Sequence, residues 1–121
     1  MDVLVVDDED VVRELMVEIL ERAGYVVGGA ATAEEALEFL AGDDVSVVVT
    51  DAIMPRFSGF ELIQELHRRR PGLPVIVATG ASTDQTIVEA RAAGAQNVIT
   101  KPFTHRELIS AVEEALAVSD Y

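Results

Sequence analysis

VLVVDDEDVVRELMVEILERAGYVVGGA, residues 3–30, changes its hydrophobic period twice, and those two changes decide the fold. The stretch opens on the unbroken apolar run Val3–Val6 and stops at two aspartates. From Val11 the apolar spacing becomes three and four: Val11, Val12, Leu15, Met16, Ile19 and Leu20 form one stripe of an amphipathic helix. Gly24 stands where such a helix stops, and a second extended run, Tyr25–Ala30, follows. A continuous apolar strand, rather than an alternating one, suits burial on both faces of a parallel sheet. Strand, helix and strand in this order form a βαβ unit, whose crossover is right-handed.

The rest of the chain repeats the unit. Further extended runs fall at Val45–Thr50, Val75–Thr79 and Asn97–Thr100. Helices are predicted after Thr32, Ser58, Ser82 and Thr104, each followed three residues on by Glu35, Glu61, Gln85 or Glu107. Such pairs are capping boxes, in which side chains satisfy the N–H groups orphaned at a helix start. The inward residues are Ala36, Leu37 and Leu40, then Phe60, Ile63 and Leu66, and finally Leu108, Ile109, Val112 and Leu116. Arg68–Arg70 before Pro71 and Gly72 reads as a helix end with cations facing the dipole. Met16, Met54 and the phenylalanines read as packing, with Phe103 a core anchor for the loop that aims Lys101; His67 reads as solvated, and His105, in the first turn of the last helix, is assigned no role. Five strands alternating with five helices specify an α/β, doubly wound (βα)5 domain over residues 1–121, a five-stranded parallel sheet with helices on both faces.

Composition narrows the function. Half of the 121 residues are hydrophobic, enough for a core. Nine Lys and Arg against 22 Asp and Glu leave a formal charge of −13, which repels phosphate backbones and anionic lipid. No direct nucleic-acid or membrane partner is therefore expected. Zero Cys excludes disulfides, thiolate zinc sites and a thiol nucleophile. Asp2, Asp7, Asp8, Glu9 and Asp10 are unlike a secretory signal, so the expected location is cytoplasmic.

In open α/β sheets, ligands bind outside the carboxyl ends of the strands. There this chain places Asp7 and Asp8 after the first strand, Asp51 after the third, Thr79 and Gly80 at the fourth and Lys101-Pro102 after the fifth. Taken singly, each has a bland reading as an acidic helix start, a turn residue, a loop or a strand exit. Four such coincidences at four ends of one sheet point to a pocket. Two carboxylates about 4 Å apart repel by about 4 kcal/mol at an effective dielectric near 20, against a domain stability of about 5–15 kcal/mol. Lys101 offsets part of that charge, and an oxygen-only carboxylate set suits Mg²⁺. A cation site beside a carboxylate, with an amine and a hydroxyl opposite, is an arrangement for phosphoryl transfer, with Asp51 as the attacking group.

These segments resemble those of the response-regulator receiver domains of two-component signalling. VLVVDDED (3–10), VVVTDAIMP (47–55), VIVATGAS (75–82) and VITKPF (98–103) stand in the family's order, and the resemblance covers residues 1–118. It implies a flavodoxin-like strand order 2-1-3-4-5 and an Asp51 that takes its phosphoryl group from a sensor histidine kinase or phosphotransfer protein. It implies Mg²⁺ held by Asp8, Asp51 and the backbone carbonyl of Ile53, with Asp7 acting through water. Lys101 would contact the phosphoryl group, its bond to Pro102 being cis. Thr79 would carry the change to the face of the fourth helix, fifth strand and fifth helix, where an output partner or a second copy binds on activation. The chain catalyses its own phosphorylation and dephosphorylation on this reading, without being a conventional enzyme.

Two departures from the family stand out. Val98 occupies the usual place of an aromatic residue, and Ile53 and Ala81 give hydrolytic water no polar side chain, which predicts a long-lived aspartyl phosphate. The competing function is a receiver-like docking module that never turns over phosphate. Dehalogenase-type phosphohydrolases place a second Asp two residues after the nucleophile, where this chain has Ile53, and flavin carriers need a Ser/Thr/Gly-rich loop where it has acids.

Overall fold

Residues 1–52, 59–80 and 83–119 are described by the computed structural model of the chain. Its elements are β1 (Val3–Val6), α1 (Asp10–Arg22), β2 (Val27–Ala30), α2 (Ala33–Gly42), β3 (Val47–Thr50), α3 (Gly59–Arg69), β4 (Val75–Thr79), α4 (Asp84–Ala93), β5 (Asn97–Thr100) and α5 (His105–Ser119). All strand pairs are parallel and the sheet order is β2-β1-β3-β4-β5. No helix among the described residues is long and apolar enough to cross a membrane.

The apolar runs are continuous because both faces are covered. Successive side chains of a strand point to opposite faces. Val3 and Val5 accordingly join Val47, Val49, Ile76 and Ala78 beneath α1 and α5, with Met16, Leu20, Leu108 and Val112. Leu4 and Val6 join Val48, Val75 and Val77 on the opposite face, with Leu40, Leu62, Ile63 and Leu66 from α2 and α3. Each Val, Leu or Ile side chain buried there contributes about 1.5–3 kcal/mol.

Three local readings are corrected. Tyr25 belongs to the close of α1, where its N–H donates to the Leu20 carbonyl while Gly24 takes φ +102°. Val26 donates its N–H to the Asp2 carboxylate, so β2 begins only at Val27. α4 is capped by Thr83, whose hydroxyl accepts from the Thr86 N–H; Ser82, the expected cap, lies outside the described residues, as does Ser58. Val11 is 79% exposed and Leu15 46%, because the packed face of α1 runs through Met16, Ile19 and Leu20. The basic end of α3 stands as expected, with Arg68 and Arg69 in its last turn and Arg70 just beyond it. Arg68 and Arg69 pair with Glu65, whereas Arg70 reaches across to the carbonyls of Leu40, Asp43 and Val45 and closes the end of α2.

Candidate functional site

Hydrogen bonds of the sheet continue one residue past three strands, and this positions the polar groups. The Asp7 N–H donates to the Ala30 carbonyl at 3.1 Å, Asp51 to Val6 at 3.2 Å and Lys101 to Thr79 at 2.9 Å. Each side chain thus leaves a backbone held by a neighbouring strand. Val6 is in register with Thr50, and Thr79 with Thr100, so the strand ends bring Asp7, Asp51, Thr79 and Lys101 to one edge.

The Lys101 ammonium bridges the acids, with Nζ 2.7 Å from Asp7 Oδ2 and 3.0 Å from Asp51 Oδ2. Asp7 is fully buried and Asp51 nearly so, while Asp8 is exposed at the mouth. Thr79 is buried at the same edge. Burial works against the Lys101 ammonium, but the hydrogen bonds and charges of Asp7 and Asp51 prevail and hold its pKa above the ordinary lysine value. The Lys101–Pro102 peptide is cis, as expected. Phe103 packs against the α1/α5 side of the core, also as expected.

Asp7, Asp8 and Asp51 each offer one carboxylate oxygen, and the three oxygens lie within 4.8 Å of one another. Bonds of about 2.1 Å on opposite sides of one Mg²⁺ span about 4.2 Å, so these acids need only small shifts to share an ion. The donors are all hard oxygens, which fits Mg²⁺ better than a softer metal. Ile53, whose carbonyl was expected to complete the set, lies outside the described residues, as does Ala81.

Other residues sit where sequence reasoning did not put them. Asp7 Oδ1 accepts from the Glu9 N–H at 3.0 Å, and Arg13 Nη1 donates to the Asp7 carbonyl at 2.9 Å. One signal for both was present: the first helix alone lacks a Ser or Thr capping box, so its start had to be satisfied by something else. His67, read as solvated, is half-buried and its Nε2 lies 2.8 Å from the Leu73 carbonyl, whereas His105 is exposed in the first turn of α5. Val98 packs partly buried against the α2/α3 side of the core.

Comparison with known proteins agrees with this geometry. The family profile described as response regulator receiver domain matches residues 3–113. The DNA-binding transcriptional regulator NtrC of Rhizobium meliloti (strain 1021) is 36% identical over 115 residues, which are 95% of this chain and 24% of that protein. The transcriptional regulatory protein FixJ of Azorhizobium caulinodans is 38% identical, the match covering 98% of this chain and 56% of FixJ. The chain therefore spans about a quarter of NtrC and just over half of FixJ. Among solved structures, the receiver domain of NtrX from Brucella abortus superposes with a TM-score of 0.91 at 35% identity, covering 96% of this chain and 98% of that one.

Proposed function

The chain belongs to the response regulator receiver domain family, and from that premise we propose that it is a phosphorylation-activated switch whose acceptor is Asp51. The observation that carries the reading is the Lys101 bridge. One ammonium within hydrogen-bond reach of Asp7 and Asp51 places a fixed cation where the oxygens of an incoming phosphoryl group arrive.

An Asp51 carboxylate oxygen attacks phosphorus in line. The new O–P bond forms as the donor's bond to phosphorus breaks, and the leaving group is the imidazole of a kinase phosphohistidine or the acetate of acetyl phosphate. Lys101 moves its contact from the carboxylate to a phosphoryl oxygen, and the Thr79 hydroxyl donates to another. Gly80, where an added Cβ would meet nothing within 4 Å, leaves room for the tetrahedral group. Asp8, Asp51 and the Ile53 carbonyl would hold Mg²⁺ directly and Asp7 through water, and the ion would neutralise charge on the phosphoryl oxygens. The displacement of Thr79 is passed to the α4–β5–α5 face, which engages an output domain or protein, or a second copy. The phosphodonor in the cell is a sensor histidine kinase or phosphotransfer protein. Val98, small and already packed, favours a second reading, a docking module without phosphoryl turnover.

Intact mass after incubation with Mg²⁺ and acetyl phosphate tests the choice. One phosphoryl adduct is expected, absent without Mg²⁺ and absent in Asp51→Asn. After the donor is removed the adduct should persist well beyond minutes, since Ile53 and Ala81 offer water no polar side chain. No adduct on the wild type contradicts the switch and leaves the docking module; minute-scale decay contradicts the lifetime argument.

A further inference from the structure

We propose that Arg13 is a positioning residue for the acidic pocket, a clasp that fixes the Asp7–Asp8 peptide and so aims Asp8; this rests on the Mg²⁺-dependent switch proposed above. Asp7 and Asp51 are held by strand neighbours through their own N–H groups. Asp8 stands beyond β1 and is exposed, so its direction depends on the turn into α1. That turn has no side-chain cap from Glu9. The Asp7 Oδ1–Glu9 N–H bond spans it from within, and Arg13 closes it from outside, donating Nη1 to the Asp7 carbonyl at 2.9 Å and Nη2 to Asp10 Oδ1 at 2.7 Å. The carbonyl it holds belongs to the peptide linking Asp7 to Asp8, so holding it fixes the plane from which the Asp8 side chain departs.

The guanidinium is itself held. Its side chain is only 17% exposed, and its Cγ and Cδ lie 3.4 Å from the place a Cβ on Gly29 would take, so the stem rests on β2 where a side chain would crowd it. A planar fork can reach a carbonyl and a carboxylate at once, which a lysine ammonium on this stem does less well.

Arg13 is also a cation near a cation site, and its two effects have opposite signs. If charge dominated, removing it would tighten Mg²⁺ binding. If the clasp dominates, removing it loosens Mg²⁺ binding, since partners that orient metal ligands commonly account for about 10–100-fold in affinity.

The test is a titration with Mg²⁺ alone, read as the rise in melting temperature, which gives both the affinity and the metal-free stability. Arg13→Met keeps the stem on Gly29 and loses both hydrogen bonds; its half-effect concentration should rise about tenfold. Arg13→Lys keeps the charge and should weaken binding about threefold, a fraction of that loss. Asp10→Asn keeps the carbonyl bond and should match the wild type. Saturating Mg²⁺ should restore the wild-type rate of phosphoryl uptake in both Arg13 variants, because Arg13 does not touch the reacting atoms. A responsive wild type with Arg13→Met at equal or tighter affinity overturns this inference alone. If Arg13→Met does not fold, Arg13→Lys at wild-type affinity overturns it equally. A wild type indifferent to Mg²⁺ overturns both this inference and the reading it rests on.

Discussion

Lys101 shares one ammonium between two buried carboxylates, so substitutions at the pocket differ in sign. Removing it leaves Asp7 and Asp51 facing each other without their shared donor. Breaking a fully buried pair costs about 3–5 kcal/mol; this pocket opens toward water at Asp8, so Lys101→Ala should cost less, about 1–3 kcal/mol. Asp51→Asn removes one of the repelling charges and keeps the Asp7–Lys101 pair, so it should raise the melting temperature without Mg²⁺. Melts of the two variants in chelator check the order, and the reverse order contradicts the electrostatics. The pH dependence follows from the raised Lys101 pKa. A proton held more tightly in the folded state stabilises fully below the unfolded lysine value of about 10.4, and the benefit disappears as pH climbs through the folded value. The gap in urea midpoint between wild type and Lys101→Ala should therefore be flat through neutral pH and shrink only above about pH 10.4. At this scale the sequence was legible where a residue ended a strand, as with Asp7, Asp51, Thr79 and Lys101. It was not legible for the contacts of Arg13, Arg70 and His67 with backbone carbonyls, which carry no residue-type signature.

The starts of α2 and α5 were legible as a hydroxyl and a carboxylate three apart at the head of an apolar stripe. Thr104 and Glu107 exchange hydrogen bonds in both directions. Thr32 accepts from the Glu35 N–H, while the Glu35 carboxylate reaches back to the Ala31 N–H instead of that of Thr32. The shortened β2 and β3 escaped because Val26 and Val45 have strand-like side chains but give their backbone groups to Asp2 and Arg70. The exposure of Val11 and Leu15 escaped because a hydrophobic stripe does not say how wide the packed face will be. Helix ends yield a comparison. Gly24 and Gly94 close α1 and α4 at φ +102° and +115°, but a Cβ on Gly24 meets nothing within 4 Å, whereas one on Gly94 falls 2.4 Å from His67 Nδ1. The His67 ring is tethered to the Leu73 carbonyl and cannot simply turn away. Gly24→Ala should cost about 1 kcal/mol, the strain of a left-handed residue, and Gly94→Ala clearly more. Urea midpoints of the two variants decide it, and equal costs would mean that His67 gives way freely.

Across the whole molecule, the alternation of strands and helices dictated a parallel sheet covered on both faces, and the carboxyl edge followed as the place for chemistry. Periodicity did not dictate strand order; that came from resemblance to a family, and β2-β1-β3-β4-β5 agrees with it. The order matters because it puts β1 beside β3, so Asp7 and Asp51 become neighbours although 44 positions separate them (51 − 7). A chain with 22 acidic residues against nine basic ones must still receive an anionic phosphoryl group. Its surface charge opposes that approach, so the attraction must be local; Lys101 supplies one cation at the sheet edge, and on the proposed function Mg²⁺ would supply another. On the proposed function, the phosphoryl group is accepted at Asp51 and not at the other acids of the pocket. Borohydride reduction of the phosphorylated chain converts an aspartyl phosphate to homoserine, and peptide mass mapping then reads the position. Homoserine at 51 is predicted; homoserine at 7 or 8, or at no position in a chain that carries the adduct, would contradict it.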